Sequence, residues 1–595
     1  MNILLTAINA KYIHSNLAVY SLRACAGEYR DAVELAEYTI NNQKDYILEE
    51  LYKRKPDVLC FSCYIWNIDY VTDIAREYKK LCPSVPIWVG GPEVSYEVEA
   101  FLRENPYIDG VMIGEGEDTF RELCGYYAHK RKLSDIAGIA FRKNSTGNST
   151  SNSTSVNNIG GNKAGEIVFT SPRPIKNMSE IPFCYDTLDD FSNRIIYYES
   201  SRGCPFSCSY CLSSVDKTLR FRDTEIVKRE LKFFIDQKVP QIKFVDRTFN
   251  CNHAHAMELW RFIKANDNGV TNFHFEISAD LLNQEELELI SDMRPGLIQL
   301  EIGVQSTNEV TIKEIHRTMK LERLKEVVRL IQSGNNIHEH LDLIAGLPYE
   351  DYDSFGRSFD EIYELKPNQL QLGFLKVLKG SYMFEHAAEY GIVYHDKPPY
   401  EVMSTKWLSF DDVIKIKRVE DMLEVYYNSG QFEITMKLME CIFDSAFEFF
   451  QELGDFYEAN GYFGMSHSRI RRCEILLEFL ALYLHGCDSD AITSVGLTEN
   501  AIDRDNTDFD ENAIDRDNTD FDENAQIYSM IQESLIFDLY YRENCKSRPV
   551  WATDIGSFKH MTHAYCKNGK LSHVEPFHYI FPDKHTRKLD ELPKY

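Results

Sequence analysis

"IIYYESSRGCPFSCSYCLSS", residues 195–214, runs from an apolar strand-like stretch into a loop that carries Cys204, Cys208 and Cys211. Three thiolates on so short a loop can converge on one metal centre, whereas a closed structural zinc site takes four ligands. Two readings compete. In a zinc site the fourth ligand comes from elsewhere, with Cys251, His253 and His255 of "CNHAH" as candidates. In an iron-sulfur cluster, which ordinarily takes four cysteines, three would leave one iron open to an outside ligand. Three unrelated free thiols at this density are the least favoured alternative.

Outward from this loop, residues 194–385 alternate apolar runs with helix-length amphipathic segments. The runs are "RIIYYES", "QIKFVDRTF", "NFHFEIS", "LIQLEIGVQ", "HLDLIAGLP" and "QLQLGFLKVL". Six strands joined by right-handed helical crossovers make a partial (β/α) barrel. Polar residues stand at or near the ends of these runs, at Asp246, Glu276, Ser278, Glu301, Gln305 and Asp342. Barrels of this type place their chemistry at strand C-termini, so these are candidate site residues.

Residues 1–135 show a second strand-helix alternation, through "NILLTAI", "VLCFSCYI", "PIWVGG" and "GVMIGEGE". This predicts a Rossmann-like parallel sheet covered on both faces. Its strands end in Gly90-Gly91 and in Gly114-Glu115-Gly116-Glu117, where open α/β sheets form their ligand crevice. Residues 136–193 read as a linker with a polar low-complexity insertion at 144–165. From 400 to 595 the apolar spacing turns helical, interrupted by an acidic insertion at 499–525 in which "ENAIDRDNTDFD" is repeated. Asp503, Asp505 and Asp508 suggest a calcium loop, but the glycine such a loop needs is missing. The fold class expected is therefore α/β, with a Rossmann-like sheet, a central partial (β/α)6 TIM-like barrel and a mainly α-helical C-terminal domain.

Composition narrows the function. Lys plus Arg number 65 against 93 Asp plus Glu, a net charge of −28, which disfavours a nucleic-acid partner. No apolar run reaches the length of a membrane helix, and the N-terminus lacks the pattern of a secretory leader. Fifteen cysteines with one tight cluster suit a reducing compartment, so the expected location is the cytoplasm. The sequons at Asn144, Asn148 and Asn152 are then bystanders.

The C-x-x-x-C-x-x-C loop, with Tyr210 before its third cysteine, resembles the radical S-adenosylmethionine superfamily. That resemblance implies a [4Fe-4S] cluster on Cys204, Cys208 and Cys211, whose open iron chelates the amino and carboxylate groups of S-adenosylmethionine and cleaves it to a 5′-deoxyadenosyl radical. "FVDRTFN" (244–250) stands where the family has a glycine-rich motif for the methionine amino group. It lacks the glycine pair, and Asp246 is the substitute. "FHFEIS", "LEIGVQS", "IHRTM" and "HLDLIAGLP" resemble cofactor-contacting stretches of the coproporphyrinogen-type and methylthiotransferase-type branches. By that match Glu276, Gln305, Arg317 and Asp342 bind methionine and ribose groups, Ile344 and Gly346 pass beside the adenine, and Tyr210 forms an aromatic wall. Carboxylates and an amide suit hydroxyls and an ammonium, and a guanidinium suits a carboxylate.

"VGGPEVS" (89–95) and "IGEGEDTF" (113–120) resemble the cobalamin-binding domains fused to many radical enzymes. Gly90, Gly91, Gly114, Glu115 and Gly116 are the implied contacts, glycine allowing close backbone approach. The Asp-x-His-x-x-Gly signature of a lower histidine ligand is missing, and the context of His14 does not fit it. Cobalamin is then expected without a protein histidine. Taken whole, the chain resembles the DUF4080-like group of cobalamin-binding-domain radical proteins. The implied activity is methyl transfer to a small molecule or peptide, with flavodoxin or ferredoxin as electron donor. The alternatives are radical oxidation, cyclisation or rearrangement without methyl transfer, and a non-catalytic iron-sulfur or corrinoid sensor. Methylthiolation is disfavoured, since no second cysteine triad precedes the barrel.

Overall fold

The computed structural model describes residues 1–143, 166–215, 217–485, 520–542, 549–552, 562–567 and 570–576. The low-complexity insertion at 144–165 and residues 499–519 of the acidic insertion lie outside them. The chain divides into two compact units.

The first unit comprises Met1–Asp351 and Leu372–Ser409. It opens with a seven-stranded sheet of β1 (Ile3–Asn9), β2 (Val33–Thr39), β3 (Val58–Ser62), β4 (Ile87–Gly90), β5 (Gly110–Met112), β6 (Ile139–Arg142) and β7 (Ile167–Phe169), ordered β2-β1-β3-β4-β5-β6-β7. The first five strands run parallel; β6 pairs antiparallel with β5, and β7 antiparallel with β6. Every residue of β1 and β3 is buried, as a strand covered on both faces requires. The helix Ile68–Leu81 buries Ile68, Val71, Ile74, Ala75 and Tyr78, one stripe at helical spacing. Strand order reverses between β1 and β3, so the crevice of this sheet opens at their C-terminal ends.

A six-stranded sheet follows. Its first strand is β8 (Ile196–Tyr198); β9 (Ser201–Arg202) and β10 (Arg220–Phe221) then pair antiparallel at the two ends of the cysteine loop. β11 (Gln241–Phe244), β12 (Asn272–Ile277), β13 (Ile298–Gln305), β14 (His338–Ala345) and β15 (Gln369–Phe374) complete the sheet in chain order, parallel from β8 through β14 and open between β8 and β15. This is the partial barrel. β13 alternates strictly, with Ile298, Leu300, Ile302 and Val304 buried and Gln299, Glu301, Gly303 and Gln305 partly buried on the other face. Because side chains alternate with period two, Glu276 of β12, Glu301 and Gln305 of β13 and Asp342 of β14 all fall on inward faces.

The second unit comprises Tyr352–Gln371 and Phe410–Tyr595. Its helices are Tyr352–Tyr363, Phe410–Met422, Glu433–Met439, Ala446–Ala459, Arg469–His485 and Asp520–Arg542. A cluster of rings, with Phe359 against Phe447 and Phe450, packs its first helix onto Ala446–Ala459. Asp360 accepts from the Phe447 N–H at 2.8 Å and the Ser445 hydroxyl at 2.7 Å, so it ties the start of that helix down. Asp538 does the same for Glu433–Met439 through Ile434 and Thr435. A β-hairpin, Thr562–Lys567 with Lys570–Pro576, adds strands to a region expected to be mainly helical. Among the described residues no helix is long and apolar enough to cross a membrane.

Candidate active site

The cysteine loop is held by backbone geometry. Gly203 has φ 94°, and a Cβ there would lie 2.5 Å from the Thr218 carbonyl oxygen. The Ser209 N–H donates to Ile315 and its carbonyl accepts from Met383, both at 2.9 Å. Cys204 and Cys208 are buried and Cys211 partly so. All three line a cavity of about 180 Å³. Arg317 donates toward the Cys208 thiol at 3.8 Å and the Tyr210 hydroxyl at 3.4 Å, and to the Gly303 carbonyl. Burial pushes the Cys208 thiol up, and the Arg317 guanidinium opposes that shift.

Of the residues named from sequence, Tyr210, Glu276, Ser278, Glu301, Gln305, Arg317 and Asp342 line this same cavity. Their states differ. Gln305 sits at φ 77° beside an irregularity in the β13–β14 register. Its Oε1 is buried with no hydrogen-bond partner, while Gly303 leaves room for its amide nitrogen, which would be 2.3 Å from a Cβ. An orphaned buried acceptor on a strained backbone is what a ligand site leaves behind when its ligand is absent. Burial raises Glu276 to about 7, against the pull of Arg247, whose Nη1 is 4.0 Å away. Burial likewise pushes Asp342 well up, with the neighbouring Glu301 and Glu276 charges adding to it. Burial also acts against ionisation of Glu301, but hydrogen bonds from His274 at 2.9 Å and Lys243 at 2.8 Å overcome it and take the carboxyl down to about 2. One Glu301 oxygen is therefore already committed to the barrel interior.

Three of the named residues lie elsewhere. Asp246 is buried, with 1% of its surface exposed. It accepts from the Ser200 N–H at 2.9 Å and from the Ser200 and Ser201 hydroxyls at 2.6 Å each. Its carboxylate faces the strand end that launches the cysteine loop, not the cavity. Gly346, at φ 87°, makes room for Val402, whose Cγ1 would be 2.7 Å from a Cβ, and neither it nor Ile344 lines the cavity.

Two of the three candidate fourth ligands of a zinc site have other partners. His253 Nδ1 is 3.0 Å from the Glu286 carboxylate and His255 Nε2 is 3.0 Å from the Ser200 hydroxyl. Among the described residues no three His, Cys, Asp or Glu side chains converge on a single ion. Three thiols spread around one cavity fit a cluster instead, whose irons stand apart from one another.

A second cavity, about 360 Å³, is lined from both sheets of the first unit. Gly90, Gly91, Gly114 and Gly116 border it from the N-terminal sheet, with Tyr64; Glu199, Arg202, Arg222 and Arg247 border it from the barrel. Gly91, at φ 118°, would place a Cβ 2.4 Å from the Cys63 carbonyl. Glu115 turns away, to Arg202 at 3.3 Å and Arg220 at 2.5 Å. Arg202 also reaches Glu117 at 2.8 Å and Glu199 at 2.7 Å. His14 bonds the Tyr197 hydroxyl at 2.7 Å and does not line the cavity. The reading of the sequence passed over Arg202, Tyr64 and Arg247. The arginines stand in plain view in "SSRGC" and "FVDRTFN", but spacing carries no sign of which cavity a long side chain enters.

Three family models match the chain: the B12 binding domain over residues 3–124, the Radical SAM superfamily over 198–362, and DUF4080, a protein family of unknown function, over 388–588. The cobalamin-dependent radical SAM methyltransferase TokK of Streptomyces tokunonensis is 27% identical over 57% of this chain and 49% of its own. The 2-(S-pantetheinyl)-carbapenam-3-carboxylate methyltransferase of Streptantibioticus cattleyicolor is 26% identical over 52% of this chain and 45% of its own. The chain thus spans about half the length of these relatives. Among solved structures, the cobalamin-dependent S-adenosylmethionine radical enzyme OxsB with aqua-cobalamin bound shares the fold, with a TM-score of 0.56 at 16% identity over 91% of this chain and 81% of that one. By these matches the chain carries a radical SAM domain, preceded by a B12 binding domain and followed by a DUF4080 region.

Proposed function

We propose that this chain is a cobalamin-dependent radical SAM methyltransferase, cytoplasmic and supplied with electrons by a small donor such as flavodoxin or ferredoxin. One observation carries the reading: the thiol-lined cavity and the glycine-bordered cavity share a lining residue, Arg247. When bound, a [4Fe-4S] cluster with S-adenosylmethionine supplies a hydrogen-abstracting radical, and cobalamin supplies the methyl group.

In this reading Cys204, Cys208 and Cys211 hold the cluster. Arg317 offsets the negative charge of the Cys208 thiolate, at 3.8 Å. Glu276, once ionised, receives the ammonium of S-adenosylmethionine, while Gln305 Oε1 and Asp342 receive donors from its ribose or amine. Tyr210 walls the site. Gly90, Gly91, Gly114 and Gly116 let a flat macrocycle approach the backbone, and among the described residues no histidine lines this cavity. Burial of Cys204 and Cys208 keeps water from the reacting atoms.

The test is anaerobic purification and cluster reconstitution, followed by S-adenosylmethionine and reductant with and without hydroxocobalamin. Deoxyadenosine is the expected product of the radical half, and cobalamin-dependent S-adenosylhomocysteine that of the methylation half. Deoxyadenosine without cobalamin-dependent S-adenosylhomocysteine would move the assignment to radical oxidation or cyclisation. Neither product from a protein with an intact cluster, across candidate small acids and peptides, would return it to a sensor.

A further inference from the structure

We infer that the substrate is an acid, and that Arg247 grips its carboxylate or phosphate where the two cavities meet. This inference deepens the proposed function and rests on it.

Among the described residues that line either cavity, Arg247 alone borders both. A substrate carbon that is attacked from one cavity and methylated from the other has to lie at that junction. Four arginines line the two cavities, and three are already engaged. Arg202 is bound by Glu117 and Glu199, Arg222 by Glu230 at 2.8 Å and the Ile181 carbonyl at 3.0 Å, and Arg317 by the Gly303 carbonyl, Tyr210 and Cys208. The Arg247 side chain is 57% exposed, and its nearest carboxylate, Glu276, is 4.0 Å away. That is beyond hydrogen-bond distance, so the planar fork of donors is open to a bidentate acid. Sign of charge fixes the approach. Beside Arg247, the thiol-bearing cavity sets one arginine, Arg317, against three acidic side chains, Glu276, Glu301 and Asp342, whereas the glycine-bordered cavity sets Arg202 and Arg222 against two, Glu117 and Glu199. An anion therefore reaches Arg247 from the glycine-bordered side, where Tyr64 and Val245 also line the wall.

The test uses holoenzyme reconstituted with cluster and hydroxocobalamin, in the presence of S-adenosylmethionine and without reductant, so that no turnover occurs, beside arms in which each of these two cofactors is added alone or neither is. Phenylglyoxal labels accessible guanidinium groups, and the labelled positions are read by mass spectrometry. Arg247 is expected to label fastest of the four cavity arginines. Saturating inorganic phosphate or succinate should slow that labelling about ten-fold, the protection mass action gives when roughly nine-tenths of sites are filled, while neutral acetamide should not. Three results would overturn the inference: no labelling of Arg247, no protection by either anion, or equal protection by S-adenosylmethionine or cobalamin alone. The last would mean that the guanidinium holds a cofactor's anion. Failure of the functional reading is separately visible, because it is read from deoxyadenosine formed by the unlabelled enzyme.

Discussion

At the scale of single residues, the two carboxylates that strand position alone would treat alike have opposite surroundings. Asp246 accepts three short hydrogen bonds from Ser200 and Ser201 and has no face toward the cavity. Removing it with Asp246→Ala strands buried donors, each worth about 1–3 kcal/mol. The expected outcome is a clear fall in thermal midpoint together with reduced iron content after reconstitution, since the acid anchors the residues just ahead of Cys204. Unchanged stability would show that the three contacts contribute nothing. Glu276 is different: burial lifts it to about 7, and it has no hydrogen-bond partner that would commit it. If it receives the ammonium of S-adenosylmethionine, it must be ionised to do so. Affinity for S-adenosylmethionine should therefore rise as pH rises through about 7, measured by equilibrium binding, and Glu276→Gln should flatten that profile. Stability runs the other way. A carboxyl whose folded pKa is raised contributes stability that is full below its unfolded value and is lost as pH rises through about 7, on the order of 3 kcal/mol at most.

At the scale of elements, the cysteine loop depends on one glycine. Gly203→Ala would place a Cβ 2.5 Å from a backbone oxygen at φ 94°, so it must both strain the backbone and move the β9–β10 hairpin. Gly269, at φ 74° with nothing within 4 Å, supplies the comparison. Gly269→Ala should cost only the left-handed penalty of about 1–2 kcal/mol and leave iron loading intact, whereas Gly203→Ala should lose most of its iron and the visible absorption of the cluster. Equal iron content in the two variants would show that the loop tolerates the shift. The elements themselves were largely legible in the sequence. Each of the six barrel runs became a strand, and alternation in "IQLEIGVQ" already put Glu301 and Gln305 on one face. β2 and β6 escaped because charged residues, Glu34 and Glu37 in the first and Arg142 in the second, interrupt their short apolar runs, whereas the brief apolar run of β7 in "EIVFT" was legible. The orientation of Asp246 escaped because periodicity assigns a face, not a hydrogen-bond partner. The helix Tyr352–Tyr363 joined the second unit, although its amphipathic pattern could have served either one; the Phe359–Phe447 contact decides it.

At the scale of the first unit, two sheets share one cavity, and beside a backbone bridge from His14 to Ile195 the tie at that cavity is ionic. Arg202 belongs to β9, two residues ahead of Cys204, yet its guanidinium reaches Glu115 and Glu117 at the turn that begins with Gly114. Arg202 thus joins the glycine turn that borders one cavity to the loop that carries the thiols of the other, and Arg220 of β10 reaches Glu115 from the loop's far end. Its partners Glu117 and Glu199 have side chains only 7% and 22% exposed, so they cannot recover by turning to water. Breaking one partner of such a buried network costs about 3–5 kcal/mol, because the remaining charge is left uncompensated. Lys cannot substitute, since a point charge does not reproduce a fork that serves three carboxylates. Arg202→Lys and Arg202→Gln should therefore both lower the thermal midpoint, with Gln the more severe. If the Gly114 turn borders the macrocycle, the same variants should bind hydroxocobalamin at least about ten-fold more weakly, a loss equivalent to about 1.4 kcal/mol. Retained cobalamin affinity alongside a lowered thermal midpoint would show that Arg202 holds the two sheets together without shaping the cavity between them.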